Sequence, residues 1–397
     1  MDFERHKQSL NTFSNESLKL EIQRIRDFYL TYSVNPTGGF FQSIQEDGSV
    51  RKDGINHLVS SCRMTVNFAR SKMVLGDLSD LDIVRHGLKF IETQHRRSDG
   101  LGYHWLLQGN KVLDEEQYCY GYAFLLLTYA NAYQAGIDEA EPCIAEVYNQ
   151  MCTYFWDDKA GLFADQYNIE QKKLDPYRGQ NANMHACEAL IAAFAATKEV
   201  QYLEQALRVA KNIVVRQTGT TEGLIWEHYD QNWTPDFTYN INDPKNLYKP
   251  WGYQPGHFTE WAKLLLILNS YSNQDWLVDK AEWLLDSAWK HSWDAKQGGM
   301  FYGFSPDFSP CDMDKYFWVQ AESLAAFTIA SNVIDNRFME QTNTLTSYVE
   351  REFVRPVTRV WWRVLDASGS PVDKWIALPG AKCDYHTLGS FYDILQH

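Results

Sequence analysis

Apolar residues recur every three to four positions along most of this chain, the spacing of helices that bury one stripe. The stretch 18–32, for example, sets Leu20, Ile22, Ile25, Phe28 and Tyr29 at helical intervals. The same pattern predicts helices over 57–75, 80–94, 115–134, 139–155, 181–196, 199–216, 256–270, 275–290, 315–333, 336–353 and 385–395. That makes about twelve helices in six pairs. The members of a pair differ in character. Ala189 to Ala196 is apolar nearly all round, as expected of a buried inner helix, whereas Tyr202 to Ala210 alternates faces like an outer one.

Between pairs, short Gly-aromatic segments return: Gly39-Phe40-Phe41, Gly102-Tyr103-His104, Gly161-Leu162-Phe163, Gly223-Leu224-Ile225-Trp226, Gly299-Met300-Phe301 and a Gly-less Val360-Trp361-Trp362. They read as extended hairpins, and their period of about 60 residues is that of a repeat architecture. One such unit cannot bury its own apolar face, so the pieces must close on each other. The expectation is an all-α (α/α)6 barrel, a single catalytic domain over 1–397, with short β-hairpins at one rim where the inner helices begin. The fourth interval is the longest, and its extra residues, 233–251, would form either a lid or substrate wall, or simply a long surface connection.

Bulk properties narrow the function. The net charge of −14 disfavours nucleic acid as a partner. The seven cysteines include no CxxC pair and suit reduced thiols in the cytoplasm. The first residues lack a signal-peptide core, and no apolar run is long enough for a bilayer. Aromatic residues make up 15% of the chain, which suits large core staples and, more weakly, a sugar pocket.

The predicted first turns of the inner helices carry the chemistry. They supply Asn56, His57 and Arg63; Tyr118, Tyr120 and Tyr122; His185 and Glu188; His257 and Glu260; Trp318, Gln320 and Glu322; and Lys382, Asp384 and His386. His185/Glu188 and His257/Glu260 share an i,i+3 spacing, so each pair lies on one helical face, where the carboxylate can orient the imidazole. A metal reading of His-x-x-Glu has no recognisable complete ligand set, and the expectation is no metal. An (α/α)6 glycoside hydrolase would need two carboxylates facing across a bond, and Glu188, Glu260, Glu322 and Asp384 are candidates. Yet the rim is richer in histidine than that chemistry needs. Imidazoles suit proton abstraction from carbon beside a carbonyl.

Four stretches, 181–188, 251–261 (WGYQPGHFTEW), 318–322 (WVQAE) and 384–395 (DYHTLGSFYDIL), together resemble the N-acylglucosamine 2-epimerase superfamily. The ending Asp384-Tyr385-His386-Thr387-Leu388-Gly389 is most similar to its aldose–ketose isomerases. The resemblance implies His257 and His386 as the acid/base pair, working with no cofactor and no essential metal. Arg63 and His185 would hold sugar oxygens, Glu260 would orient His257, and Trp318, Gln320 and Glu322 would bind hydroxyls. Glu188 and Tyr122 are expected to join the sugar-binding set, although the second inner helix departs from the many members that carry an Asp before the Ala-Phe step. The implied activity interconverts free D-mannose and D-fructose, extending to D-lyxose and D-xylulose, through a cis-enediol. A sugar 2-epimerase is the nearest alternative. The expected partner is a monosaccharide, with no nucleic acid or membrane, and the chain is expected to be a monomer or weak homo-oligomer.

Overall fold

The computed structural model describes residues 14–246, 248–372 and 383–397, and every structural statement below concerns these. Twelve α-helices follow one another: α1 Asn15–Tyr32, α2 Leu58–Leu75, α3 Asp80–Phe90, α4 Cys119–Ala135, α5 Glu141–Phe155, α6 Gln180–Thr197, α7 Val200–Lys211, α8 Pro255–Ser272, α9 Asp275–Ser292, α10 Phe317–Val333, α11 Met339–Glu352 and α12 Tyr385–Gln396. The even-numbered helices form the inner ring, each packed on the next, and α12 closes on α2. Outside them α3, α5, α7, α9 and α11 each back their inner partner. The first helix, α1, backs the last, α12, so the two ends of the chain complete the ring. This is the expected (α/α)6 barrel.

The inner helices are buried on almost every side. In α8 every residue from Pro255 to Leu268 is buried. The outer helices bury one stripe, such as Tyr202, Ala206, Val209 and Ala210 of α7. Leu20, counted in the apolar stripe of α1, points outward and is 44% exposed. Glycines in left-handed conformation end α2 and α4, Gly76 at φ 76° and Gly136 at φ 106°.

Helix starts differ from the sequence pattern for one reason. The residues before several inner helices pair as short strands with the following repeat. Ile55–His57 pairs with Leu106–Gln108, Gln117–Tyr118 with Gln166–Asn168, Arg178–Gly179 with His228–Tyr229, and Lys315–Tyr316 with Val364–Leu365. Hence α4 begins at Cys119 and α10 at Phe317, later than periodicity alone suggests. The Gly-aromatic segments are fixed by a recurring device. A side-chain amide near the start of the inner helix takes both the N–H and the C=O of one extended residue. Gln117 clamps Tyr103 (3.0 and 3.1 Å), Asn183 clamps Phe163 (2.8 and 2.9 Å) and Gln320 clamps Met300 (2.9 and 2.9 Å). One amide thus satisfies two backbone groups that no ladder reaches.

Within the barrel, below the rim, lies a layer of paired charges. Lys263 bridges Glu322 (2.6 Å) and Asp393 (2.7 Å), and Arg70 reaches Glu188 (3.4 Å). Beyond this layer a cavity of about 210 Å³ opens among Arg70, Asn131, Glu188, Tyr271, Tyr392 and Asp393.

At the rim, the strand leading into α10 is anchored by fully buried Lys315, whose Nζ lies 2.9 Å from Asp294 Oδ2. Removing one partner of a buried pair leaves the other charge uncompensated. Lys315→Met should therefore destabilise the fold by about 3–5 kcal/mol, read as a lower urea midpoint at unchanged slope. A loss below about 1 kcal/mol, the size of an exposed pair, would contradict this.

Candidate active site

Three histidines meet at the rim end of the barrel axis: His185 of α6, His257 of α8 and His386 of α12. The rings of His185 and His386 are 6.4 Å apart between centroids. His257 and His386 both pack against the half-buried indole of Trp318, at 5.1 and 5.6 Å. Trp318 can lie over the start of α8 because residue 256 is glycine; a Cβ there would sit 2.6 Å from the indole.

Each imidazole meets a glutamate through Nδ1. His185 Nδ1 is 3.0 Å from Glu188 Oε2, His257 Nδ1 is 2.9 Å from Glu227 Oε1, and His386 Nδ1 is 2.7 Å from Glu322 Oε1. Among the described residues Nε2 of each ring has no hydrogen-bond partner. A carboxylate on Nδ1 fixes the proton there and leaves the Nε2 lone pair available.

Burial lowers the His386 pKa to about 4, despite the Glu322 hydrogen bond. It also lowers that of His185, against the pull of Glu188. His386 is therefore a neutral base at pH 7. The carboxylates divide into two kinds. Burial would raise Glu322, but Lys263 and the His386 hydrogen bond outweigh it and bring the group to about 2. Glu188 is likewise lowered against burial, by His185 and then Arg70. Glu260 goes the other way, since burial and the charge on Glu322 together push its carboxyl well above the usual range. It sits in the middle of the group. Its Oε1 is 3.8 Å from His185 Nδ1, and its buried Oε2 has no partner among the described residues. A neutral carboxyl in that position is a hydrogen-bond donor.

Arg63, on α2, donates through Nη2 to Tyr120 (2.9 Å) and lies over the rings of Phe124 and Tyr385, at 4.5 and 5.0 Å. Two triads, His185/Glu188/Glu260 and Glu260/Glu322/His386, hold ligand-type atoms within 4.8 Å of one another. In both, positive charge already comes from the protein: Arg70 reaches Glu188, which also accepts from the Tyr385 hydroxyl, and Lys263 reaches Glu322.

The structure thus brings together Arg63, His185, His257, Glu260, Trp318, Glu322 and His386. It corrects four expectations. Glu260 does not orient His257, because the ring turns its Nδ1 toward the fourth-repeat hairpin and Glu227. Gln320 is spent on the backbone of Met300 and offers no free amide to a hydroxyl. Tyr122 faces the outer layer; it is 1% exposed, packs on Phe155 and Tyr154, and donates to Gln117 (2.9 Å). Glu188 stands behind His185, held by Arg70 and Tyr385, and borders the lower cavity. Of the other rim candidates, His57 caps α2 by accepting from Val59 N–H at 3.2 Å. Asp384 accepts from Tyr29 at 2.6 Å. Lys382 lies outside the described residues.

Glu227 was missed by the sequence reading. It directly follows Trp226 in a Gly-aromatic segment, and only the pairing of Gly179 with His228 carries it to the start of α6. The long 233–251 connection folds back over the same corner. Lys249 lies 3.6 Å over the Tyr177 ring, and Lys245 bridges Asp312 and Asp314 at 3.0 and 2.7 Å.

Comparison with known proteins finds relatives over nearly the whole chain. A D-mannose isomerase of Marinomonas mediterranea is 43% identical over 385 residues, covering 96% of this chain and 97% of that protein. A crystal structure of a D-mannose isomerase superposes with a TM-score of 0.94 at 43% identity, covering 96% and 98% of the two chains. A cellobiose 2-epimerase from Bacillus thermoamylovorans, at 15% identity and a TM-score of 0.83 with 96% and 99% covered, shares the fold. Residues 39–390 match the family described as N-acylglucosamine 2-epimerase, and the chain belongs to that family.

Proposed function

We propose that this protein is an aldose–ketose isomerase that interconverts free D-mannose and D-fructose, and by the same chemistry D-lyxose and D-xylulose. The observation that carries the reading is the trio of imidazoles, each bound to a glutamate through Nδ1 and each with Nε2 unpartnered among the described residues. Similarity to D-mannose isomerases over nearly the whole chain supports the choice of isomerase over 2-epimerase.

The ring opens to expose the C1 aldehyde, which acidifies the proton on C2. His386 removes that proton through Nε2, and the C2–H electrons form the C1–C2 double bond while O1 takes the negative charge. Arg63 and the neutral Glu260 donate to the oxygens and stabilise this enediolate, while His185 accepts from a sugar hydroxyl through its bare Nε2. His257 takes the O2 proton and returns it to O1. His386 then delivers its proton to C1, leaving the carbonyl at C2. Trp318 bounds the pocket beside both rings and packs on the sugar's C–H face.

Among the described residues no helix is long and apolar enough to cross a membrane. A cytoplasmic, monomeric or loosely dimeric enzyme built as one catalytic domain completes the proposal.

Incubation with D-mannose, followed by 13C NMR, should give D-fructose. D-glucose as the first product would instead mark a 2-epimerase, and release of sugar from an oligosaccharide a hydrolase. His386→Ala or His257→Ala should lower kcat by about 10²–10⁴-fold; near-normal turnover by either variant would remove that residue from the scheme. Because His386 is held down to about 4, its neutral form persists well below the ordinary histidine range. The ring of His386, followed by 15N NMR, should therefore take up its second proton only near pH 4, and a midpoint near 6.5 would contradict its assignment as the base.

A further inference from the structure

We infer that a directional hydrogen-bond chain, Trp261 to Gln180 to Glu227 to His257, sets the tautomer of His257, with Glu227 as its positioning residue. The inference rests on the isomerase reading for what His257 does, but the tautomer itself is independent of it.

The chain starts at a group with no choice. An indole N–H is a donor only. Trp261, fully buried, donates from Nε1 to Gln180 Oε1 at 2.7 Å. That contact fixes which end of the Gln180 amide faces which neighbour. Its Nε2 must then point the other way, and it donates to Glu227 Oε2 at 2.8 Å. Gln180 is completely buried and Glu227 is 4% exposed, so water does not offer either an alternative partner. The second carboxylate oxygen, Oε1, lies 2.9 Å from His257 Nδ1.

Gln180 Nε2 also lies 2.9 Å from His257 Nδ1, so two protonation patterns compete. If Nδ1 were a bare lone pair accepting from Gln180, it would face a lone pair of the Glu227 carboxylate. If Nδ1 carries the proton, it donates to that carboxylate in a charge-assisted bond, roughly twice as strong as a neutral one. The second pattern prevails. Nε2 is then unprotonated toward the sugar, and the imidazolium formed when His257 takes the O2 proton is stabilised by the same carboxylate. The backbone keeps the pieces in register: Gln180 N–H donates to Glu227 C=O at 3.2 Å, beside the pairing of Gly179 with His228.

Glu227→Gln reverses the polarity of the last link. The Gln180 amide still donates, so the new side chain turns its oxygen to Gln180 and its NH2 to His257 Nδ1. The histidine proton moves to Nε2, facing the sugar, and the base is lost. In a serine protease triad the corresponding carboxylate-to-amide change costs about 10⁴ in kcat through the wrong tautomer.

The test is 15N NMR of histidine-labelled full-length protein, with His257→Gln assigning the signal, alongside steady-state kinetics on D-mannose. Wild type should show His257 protonated on Nδ1 and Glu227→Gln on Nε2. The kcat of Glu227→Gln should fall about 10²–10⁴-fold with KM within a few-fold. Glu227→Asp should restore the Nδ1 proton and part of kcat. Trp261→Phe alone should keep the Nδ1 proton, because the carboxylate still accepts it, whereas Trp261→Phe added to Glu227→Gln lets both amides turn and should return part of the Nδ1 proton and of kcat. An Nε2 proton in wild type, an unchanged tautomer in Glu227→Gln, or turnover of that variant within threefold of wild type would overturn the inference. Should Glu227→Gln fail to fold, the Glu227→Asp spectrum decides: an Nε2 proton there rejects the chain. Wild type that forms no fructose yet shows the expected tautomers would sink the isomerase reading and leave this chain standing.

Discussion

The site depends on how this barrel handles buried negative charge. An ionised carboxylate taken out of water costs several kcal/mol unless it is paired and hydrogen-bonded. Three buried glutamates, 227, 260 and 322, and the half-buried Glu188 nevertheless cluster around the three histidines. The solution is a cationic layer one step below the rim. Arg70 pairs with Glu188, and Lys263 pairs with Glu322 while sharing itself with Asp393. Held ionised in this way, Glu188 and Glu322 can each fix an imidazole through Nδ1. Among the described residues Glu260 has no such cation within bonding distance, and its neighbour Glu322 raises its pKa further. The same layer thus separates carboxylates that hold bases from a carboxyl that can donate.

Geometry then follows from how neighbouring repeats interlock. Each inner helix begins at the rim, and short strands before several of them pair with the next repeat. A residue from one repeat is thereby set beside the first turn of another. Glu227 reaches His257 by this route, across the Arg178–Tyr229 and Gly179–His228 pairs. The amide clamps of Gln117, Asn183 and Gln320 hold the intervening Gly-aromatic segments at fixed height. Trp318, seated in the space left by Gly256, closes the side of the pocket between His257 and His386.

Much of this was legible in the amino-acid sequence because it is periodic. Inner and outer helices differ in how far round their apolar surface extends, and that contrast survives in α6 against α7. The histidines stand out because they recur at helix starts. The His185/Glu188 pair obeys the i,i+3 rule, since both side chains share a face with nothing to compete. The same spacing misleads at His257/Glu260. There the better partner comes from a hairpin 30 residues upstream, and helical spacing carries no information about a contact made by strand pairing between repeats. Tyr122 and Gln320 were misplaced for a related reason. First-turn positions point toward the axis, the neighbouring helix or the rim hairpin by turns, and only packing decides which.

The central claim is that a solvent-exchangeable imidazole proton travels between C2 and C1 of an opened hexose. Incubating the enzyme with D-mannose in heavy water and locating the isotope tests it most directly. The account predicts D-fructose carrying deuterium at C1. Fructose still free of deuterium at C1 after equilibrium has been reached over many turnovers, or deuterium placed at C2 of glucose, would contradict it.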